Sequence, residues 1–181
     1  CVAVADKTKA DNMFQLTPSG SSAECVKNDN AFRVCFSDPN QGVEAAKYIA
    51  GHKLATKVAI IYDNSDPYST GIYESFKAEA ATQKLEIVAA NAFNADNKTD
   101  FSVQIQKAKD AGADMIFLPI YYSEASLILK QTSSVAGFSP KFFGCDGMDG
   151  ILALDNFDAK LAEGLMFMTP FDAASSDETI K

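Results

Sequence analysis

Apolar and polar residues along this chain fall into short blocks with two different periods. Val58, Ala59, Ile60, Ile61 and Tyr62 form a continuous apolar run, too uninterrupted for a strand with one wet face, and predict a parallel strand covered on both sides. Met115 to Leu118 is a second run of this kind. Each is followed by a polar break and then by helical spacing. Asp63 to Pro67 interrupts the first, and Ile72, Phe76 and Ala80 share a face of a helix starting near Ser69. Pro119 to Glu124 interrupts the second, and Ser123 is placed to cap a helix carrying Ala125, Ile128, Leu129, Thr132 and Ala136 on one side.

The remaining pattern supplies similar pieces. A helix over Val2 to Ala10 shows no visible cap and reads as the continuation of something longer. Met13 to Leu16 suits a short strand; Phe32, Val34 and Phe36 alternate with Arg33 and Cys35 in a strand over Ala31 to Phe36. A helix from about Asn40 to Gly51 presents Val43, Ala46 and Ala50. Leu85 to Ala90 gives a strand, and Thr99 is the expected cap of a helix with Phe101, Ile105 and Ala108 inside and Gly112 at its end. Phe142 and Phe143 form a short strand, a weak helix lies near Gly150 to Asp155, Leu165 to Met168 is the last strand, and 172–181 is a polar tail. Strands alternating with helices at about 25–30 residues per unit predict an α/β fold: a doubly wound parallel sheet with helices on both faces and right-handed crossovers.

Parallel strands place all their carboxyl ends on one edge, where ligands of such sheets are met. Tyr68 follows the first buried run, Tyr121 or Tyr122 the second, and Asp146 the Phe142–Phe143 strand. An aspartate with two tyrosine rings suits a cation such as an α-ammonium group, through a charge-assisted hydrogen bond and the ring quadrupole. The loop Thr17 to Ser22 is dense in hydroxyls and backbone donors, which suits a carboxylate. Each residue also has a structural reading: Asp146 between glycines as a turn former, the tyrosines as rim residues, the serine loop as a solvated turn.

Composition narrows the choice. With 181 residues, 47% of them hydrophobic, the chain suits one domain or one domain plus part of another. A net charge of −8 argues against nucleic acid and against an anionic membrane surface. Cys1, Cys25, Cys35 and Cys145 have no CxxC spacing and His52 is the one histidine, so neither a zinc site nor any other cofactor is expected. Cys25 and Cys35 are spaced for a disulfide in an oxidising compartment, or else are reduced and buried. The sequence carries no GxGxxG, GxxxxGK[ST] or GxSxG motif, and His52 falls at a helix end rather than beside a nucleophile, so no enzyme is expected. Asp63 and Asp66 leave open a phospho-acceptor site like that of a response-regulator receiver, with Asp38 and Asp29 as the upstream acids.

Several segments together resemble the type I periplasmic binding proteins that serve branched-chain amino-acid ABC transporters, the Leu/Ile/Val-binding proteins. They are QLTPSGSSAE (Gln15 to Glu24), FRVCFSDPNQG (Phe32 to Gly42), AAKYIA (Ala45 to Ala50), VAIIYDNSDPYSTG (Val58 to Gly71), the stretch Phe101 to Pro119, and FFGCDGMDG (Phe142 to Gly150). The resemblance implies a two-lobed protein of about twice this length, of which residues 1–35 are a first-lobe remnant and hinge crossover, 36–170 the second lobe, and 171–181 a hinge return segment. It implies an amino acid as ligand, probed by Ser19, Gly20 and Ser21 at its carboxylate and by Tyr68, Tyr121 (or Tyr122) and Asp146 from the second lobe. It also implies a membrane permease as partner and a periplasmic or lipid-anchored cell-surface location; a sensory receptor domain of the same fold is the alternative. A piece lacking one wall of its cleft is expected to bind weakly and to self-associate.

Overall fold

The computed structural model describes residues 1–171 and 174–177. In chain order the elements are α1 (Ala5–Ala10), β1 (Gln15–Thr17), β2 (Ala31–Arg33), α2 (Asp38–Gly51), β3 (Lys57–Asp63), α3 (Pro67–Gln83), β4 (Glu86–Phe93), α4 (Ser102–Asp110), β5 (Met115–Leu118), α5 (Tyr122–Ser133), β6 (Lys141–Gly144) and β7 (Met166–Phe167). Short 3₁₀ turns follow β6 at Asp146–Met148, Ile151–Ala153 and Ala159–Ala162. The expected tail over 172–181 lies outside the described residues except for 174–177.

The five strands β4-β3-β5-β6-β7 form one parallel sheet in that order, and β1 and β2 form a separate parallel pair. Alternation along the buried runs decides which helices cover which face. Val58 and Ile60 of β3, with Met115 and Phe117 of β5, pack under Ala45, Ala46 and Ile49 of α2 and Ile72 and Phe76 of α3. Ala59, Ile61, Ile116 and Leu118 point the other way, against Ile105 and Ala108 of α4 and Ile128 and Leu129 of α5. Because both pleated faces are hidden, every position of β5 is buried, which is why its sequence shows no alternation. Phe76 stacks on Phe117 with centroids 4.0 Å apart, and neither ring reaches solvent.

Several local expectations shift. Ser37 caps α2 by accepting from Asn40 N, and Pro39 occupies the first turn, so the helix begins two residues earlier than its apolar spacing suggested. Its buried face is Gln41/Gly42, Ala45/Ala46 and Ile49, while Val43 and Ala50 are only half-buried. Neither Thr99 nor Ser123 caps a helix: the Asp100 carboxylate accepts from Ser102 N ahead of α4, and α5 begins from Tyr121 without a side-chain cap. The disulfide joins Cys1 to Cys25, with Cα atoms 5.3 Å apart, and leaves Cys35 and Cys145 as free thiols. Spacing favoured Cys35; the pairing follows from α1 lying beside the 3₁₀ turn Ala23–Val26, where Lys27 and Asn28 also bond Asp6. β2 stops at Arg33, and its outward Phe32 and the following Val34 are exposed, with Phe14 stacked on Phe32. Among the described residues no helix is long and apolar enough to cross a membrane.

Helices α2 and α3 touch at Gly42. A Cβ there would overlap Ser75 Oγ and come within 2.5 Å of Ile72 O and 2.7 Å of Phe76 N, and backbone atoms cannot step aside cheaply. Gly42→Ala is therefore expected to destabilise the chain by on the order of 1–3 kcal/mol, the range for overpacking. Urea unfolding checks this; an unchanged midpoint would mean the helix pair separates freely.

Candidate functional site

The order β4-β3-β5 reverses the winding at β3, so the loops leaving β3 and β5 open on either side of a switch point. The first loop is stiffened by its own side chains. Asp63 is buried, accepts from Ser65 N and Ser65 Oγ, and pairs with Lys98 Nζ at 2.7 Å. Burial alone would raise its carboxyl, yet Lys98 and Ser65 together hold it below the usual carboxylate range. Asp66 caps α3 by accepting from Tyr68 N at 3.1 Å, with Pro67 in the first turn. This fixes Tyr68 one residue into the helix, 6% exposed, with its ring across the switch point.

Three of the sequence-predicted residues meet there. Tyr68 Oη donates to Asp146 Oδ1 at 2.7 Å and accepts from Gly147 N at 2.9 Å. Tyr121, which follows β5, stacks on Tyr68 with centroids 4.7 Å apart and 21° between planes. Tyr122 opens α5 and lies against Gly150 instead, so Tyr121, itself 44% exposed, is the ring at the site. A Cβ at residue 147 would come within 2.8 Å of Tyr68 Oη and 2.9 Å of Ile120 O; only glycine lets the β6 loop approach this closely. Burial, then Cys145 and Asp146, push the Tyr68 phenol well above its ordinary value. Tyr121 is pushed up to about 12 by burial and by Asp66, Asp38 and Asp146. Both hydroxyls therefore stay protonated, and Tyr68 serves Asp146 as a donor.

Of two further residues at the site, Gln41 was not singled out from the sequence and Asp38 was read only as an upstream acid of the receiver alternative. Gln41, 3% exposed on α2, donates through Nε2 to Asp146 Oδ1 at 2.7 Å and accepts through Oε1 from Asp146 N at 3.0 Å. A polar residue on the apolar face of α2 was the available signal. Asp38 is 1% exposed at the start of α2, and no donor closes a hydrogen bond with either carboxylate oxygen. Burial raises its carboxyl to about 6; Asp146 and Asp66 add to the rise, and the Ser21 hydroxyl and Arg33 offset it in part. Its local sequence context, Ser37-Asp38-Pro39, is that of a helix start and by itself indicates capping.

The serine loop reaches this cluster through its backbone. Ser21 O accepts from Asp38 N at 3.1 Å and from Arg33 Nη1 at 2.8 Å. Ser22, Glu24, Asp38, Thr70, Gly71 and Glu74 border a cleft of about 300 Å³ between the loop and α3. Gly20 packs on the Cys1–Cys25 disulfide and spends its N–H on Thr17 Oγ1 at 2.8 Å, so that amide is not free for a carboxylate. Ser19 is exposed, and among the described residues no hydrogen bond ties it to Tyr68, Tyr121 or Asp146. The receiver alternative fares worse: Asp63 is closed off by Lys98 and Ser65, and Asp29 pairs with Lys9 on the surface. Among the described residues no group of three or more His, Cys, Asp or Glu could hold a metal.

The class defined by fold and geometry is an α/β lobe with a parallel sheet and with acidic and aromatic side chains converging at its switch point. The chain belongs to the periplasmic binding protein family, whose profile matches residues 1–181. It is 29% identical over 147 residues to Leu/Ile/Val-binding protein homolog 1 of Brucella suis biovar 1, an alignment covering 80% of this chain and 39% of that protein. It is similar to the leucine-binding protein of Thermotoga maritima, with 25% identity, a TM-score of 0.82 and coverage of 98% of this chain and 50% of that one. The substrate-binding protein LivJ of Streptococcus pneumoniae, solved with isoleucine, gives 25% identity, a TM-score of 0.77 and coverage of 97% and 49%. The chain thus spans two fifths to half the length of these relatives.

Asp38 generates a stability prediction with a defined sign. An acid raised from 3.8 to about 6 opposes folding where it is ionised in the folded state. The penalty is absent below about pH 4, grows between about 4 and 6, and is complete above that. Asp38→Asn should therefore be more stable than the parent by on the order of 1–2 kcal/mol at pH 7, after discounting for solvent screening. The gap should close as pH falls towards about 4. Urea unfolding at three pH values checks it, and a gap independent of pH would acquit Asp38.

Proposed function

We propose that this chain supplies one lobe and part of the other of an extracytoplasmic solute-binding protein that closes on an apolar α-amino acid and passes it to an ABC transporter permease. In this reading residues 1–35 belong to the first lobe and the crossover, 36–170 form the second lobe, and 171–181 begin the return to the hinge. The observation that carries it is the acidic, aromatic-walled cluster at the switch point. Asp146 is held with one oxygen engaged, two tyrosine rings stand beside it, and Asp38 keeps a buried carboxylate without a donor. Such a cluster favours an incoming ammonium group by charge and by the ring faces.

The anion subsite in this reading is completed by the serine loop, chiefly Ser21, with Ser19 free to turn inward. The relatives' names support the apolar side chain: those proteins are called Leu/Ile/Val-binding or leucine-binding. The Cys1–Cys25 bridge supports an oxidising compartment. The exposed apolar side of the β1–β2 pair, with Phe14, Leu16, Phe32 and Val34, supports a first lobe that continues across it, because parallel strands are ordinarily covered on both faces. Function then needs no bond to be made or broken. A ligand that touches both lobes stabilises the closed form by its differential contacts, and a transporter reads that form.

Calorimetry on the full-length protein tests the reading with leucine, isoleucine and valine against their N-acetyl derivatives. The free amino acids should bind and the acetylated ones should not, since acetylation removes the positive charge. Asp146→Asn should weaken binding by about 1.5–3 kcal/mol, the range for a hydrogen bond to a charged group. Silence with every amino acid, or equal affinity for acetylated forms, would reject the assignment.

A further inference from the structure

Gln41 is a buried amide on a helix face that starts at Asp38 and continues with Gly42, Ala45, Ala46 and Ile49. Both ends of that amide go to one residue 105 positions away, the donor to Asp146 Oδ1 and the acceptor to Asp146 N. Two-point pairing fixes the Asp146 backbone and its χ1 together, which a single hydrogen bond would not. Tyr68 adds the second donor to the same Oδ1 and orders the next amide, Gly147 N. An oxygen holding two donors has its lone pairs committed. Among the described residues no hydrogen bond engages Asp146 Oδ2.

We propose that Gln41 is the positioning residue of this site: it clamps Asp146 so that, with Tyr68 closing Oδ1, Oδ2 alone is turned to the ligand. This rests on the amino-acid reading given above and adds the part of the ligand that the clamp selects. One committed and one free oxygen suit an ammonium, whose three N–H bonds can go to three separate acceptors, and not a guanidinium, which pairs with a carboxylate through both oxygens. The Tyr68 hydroxyl is likewise spent, so Tyr68 meets the ligand with its ring. Gln41 also borders a cavity of about 280 Å³ with Phe36, Asn40, Met168 and Thr169, on the segments that leave β2 and β7. The position of Asp146 is thereby tied to the first turn of α2.

Two nearly isosteric substitutions separate clamping from mere packing. Gln41→Met keeps the volume and removes both hydrogen bonds; Tyr68→Phe keeps the ring and removes the other pair. Amide hydrogen exchange by NMR on the ligand-free full-length protein should show Asp146 N–H exchanging about tenfold faster or more in Gln41→Met, with Gly147 N–H changed much less. Tyr68→Phe should give the opposite pattern. Leucine affinity by calorimetry should fall about tenfold or more in Gln41→Met. Unchanged exchange at Asp146, or a uniform rise across the protein, would overturn the clamp. Altered exchange with unchanged affinity for leucine would overturn its role in binding. If the parent binds no amino acid, the amino-acid reading fails and with it the ligand part of this proposal, while the exchange pattern still decides the clamp.

Discussion

Everything at the site depends on the concealment of both faces of the β3–β5 sheet. A strand wrapped on two sides has nowhere along its length for a charge or a strong donor, so polar chemistry is displaced to its ends. In a parallel sheet those ends share one edge. Tyr68, Tyr121 and Asp146 are neighbours for that reason although they are separated by dozens of residues. The order β4-β3-β5 then opens a gap at this edge, because the loops after β3 and β5 leave towards opposite faces.

The second constraint is the close approach of α2 and α3 at Gly42. Their first turns, marked by Ser37-Asp38-Pro39 and Asp66-Pro67, come to the same side of the sheet. Helix N-termini carry partial positive charge and unpaired N–H groups, which makes several carboxylates tolerable in a small volume. Tolerance is incomplete: the carboxyl of Asp38 is pushed up to about 6 by burial and by its acidic neighbours. At the proposed site, stability given up in this way would be recovered on binding a cation, since the ligand would supply the missing partner. The same charges would repel an anionic ligand, so the proposed site would select by sign before shape is tested.

Hydrogen bonding divides the site into fixed and free parts. Tyr68 Oη, Gln41 and Asp146 Oδ1 are mutually satisfied, and Gly20 N is spent within its own loop. What stays available is Asp146 Oδ2, the Asp38 carboxylate, the ring faces and the hydroxyls of the serine loop. A rigid set of supports beneath a small set of open groups lowers the ordering cost of binding.

Much of this was legible in the sequence. The unbroken runs at Val58 to Tyr62 and Met115 to Leu118 declared two-sided burial, and with the alternating helices they set the sheet's class and the edge on which Tyr68, Tyr121 and Asp146 lie. Local physical chemistry suffices for that, because periodicity and turn residues act over a few positions. Other features depend on what the chain meets after folding. Cys25 pairs with Cys1 rather than Cys35 because α1 lies beside it, and Asp38 is buried because the serine loop and α3 lie against it. Tyr121 rather than Tyr122 stacks on Tyr68 because α5 begins at Tyr122 and carries that ring against Gly150. Gln41 finds Asp146 across 105 positions, a separation at which spacing carries no information, and only the packing of α2 against the β6 loop decides it.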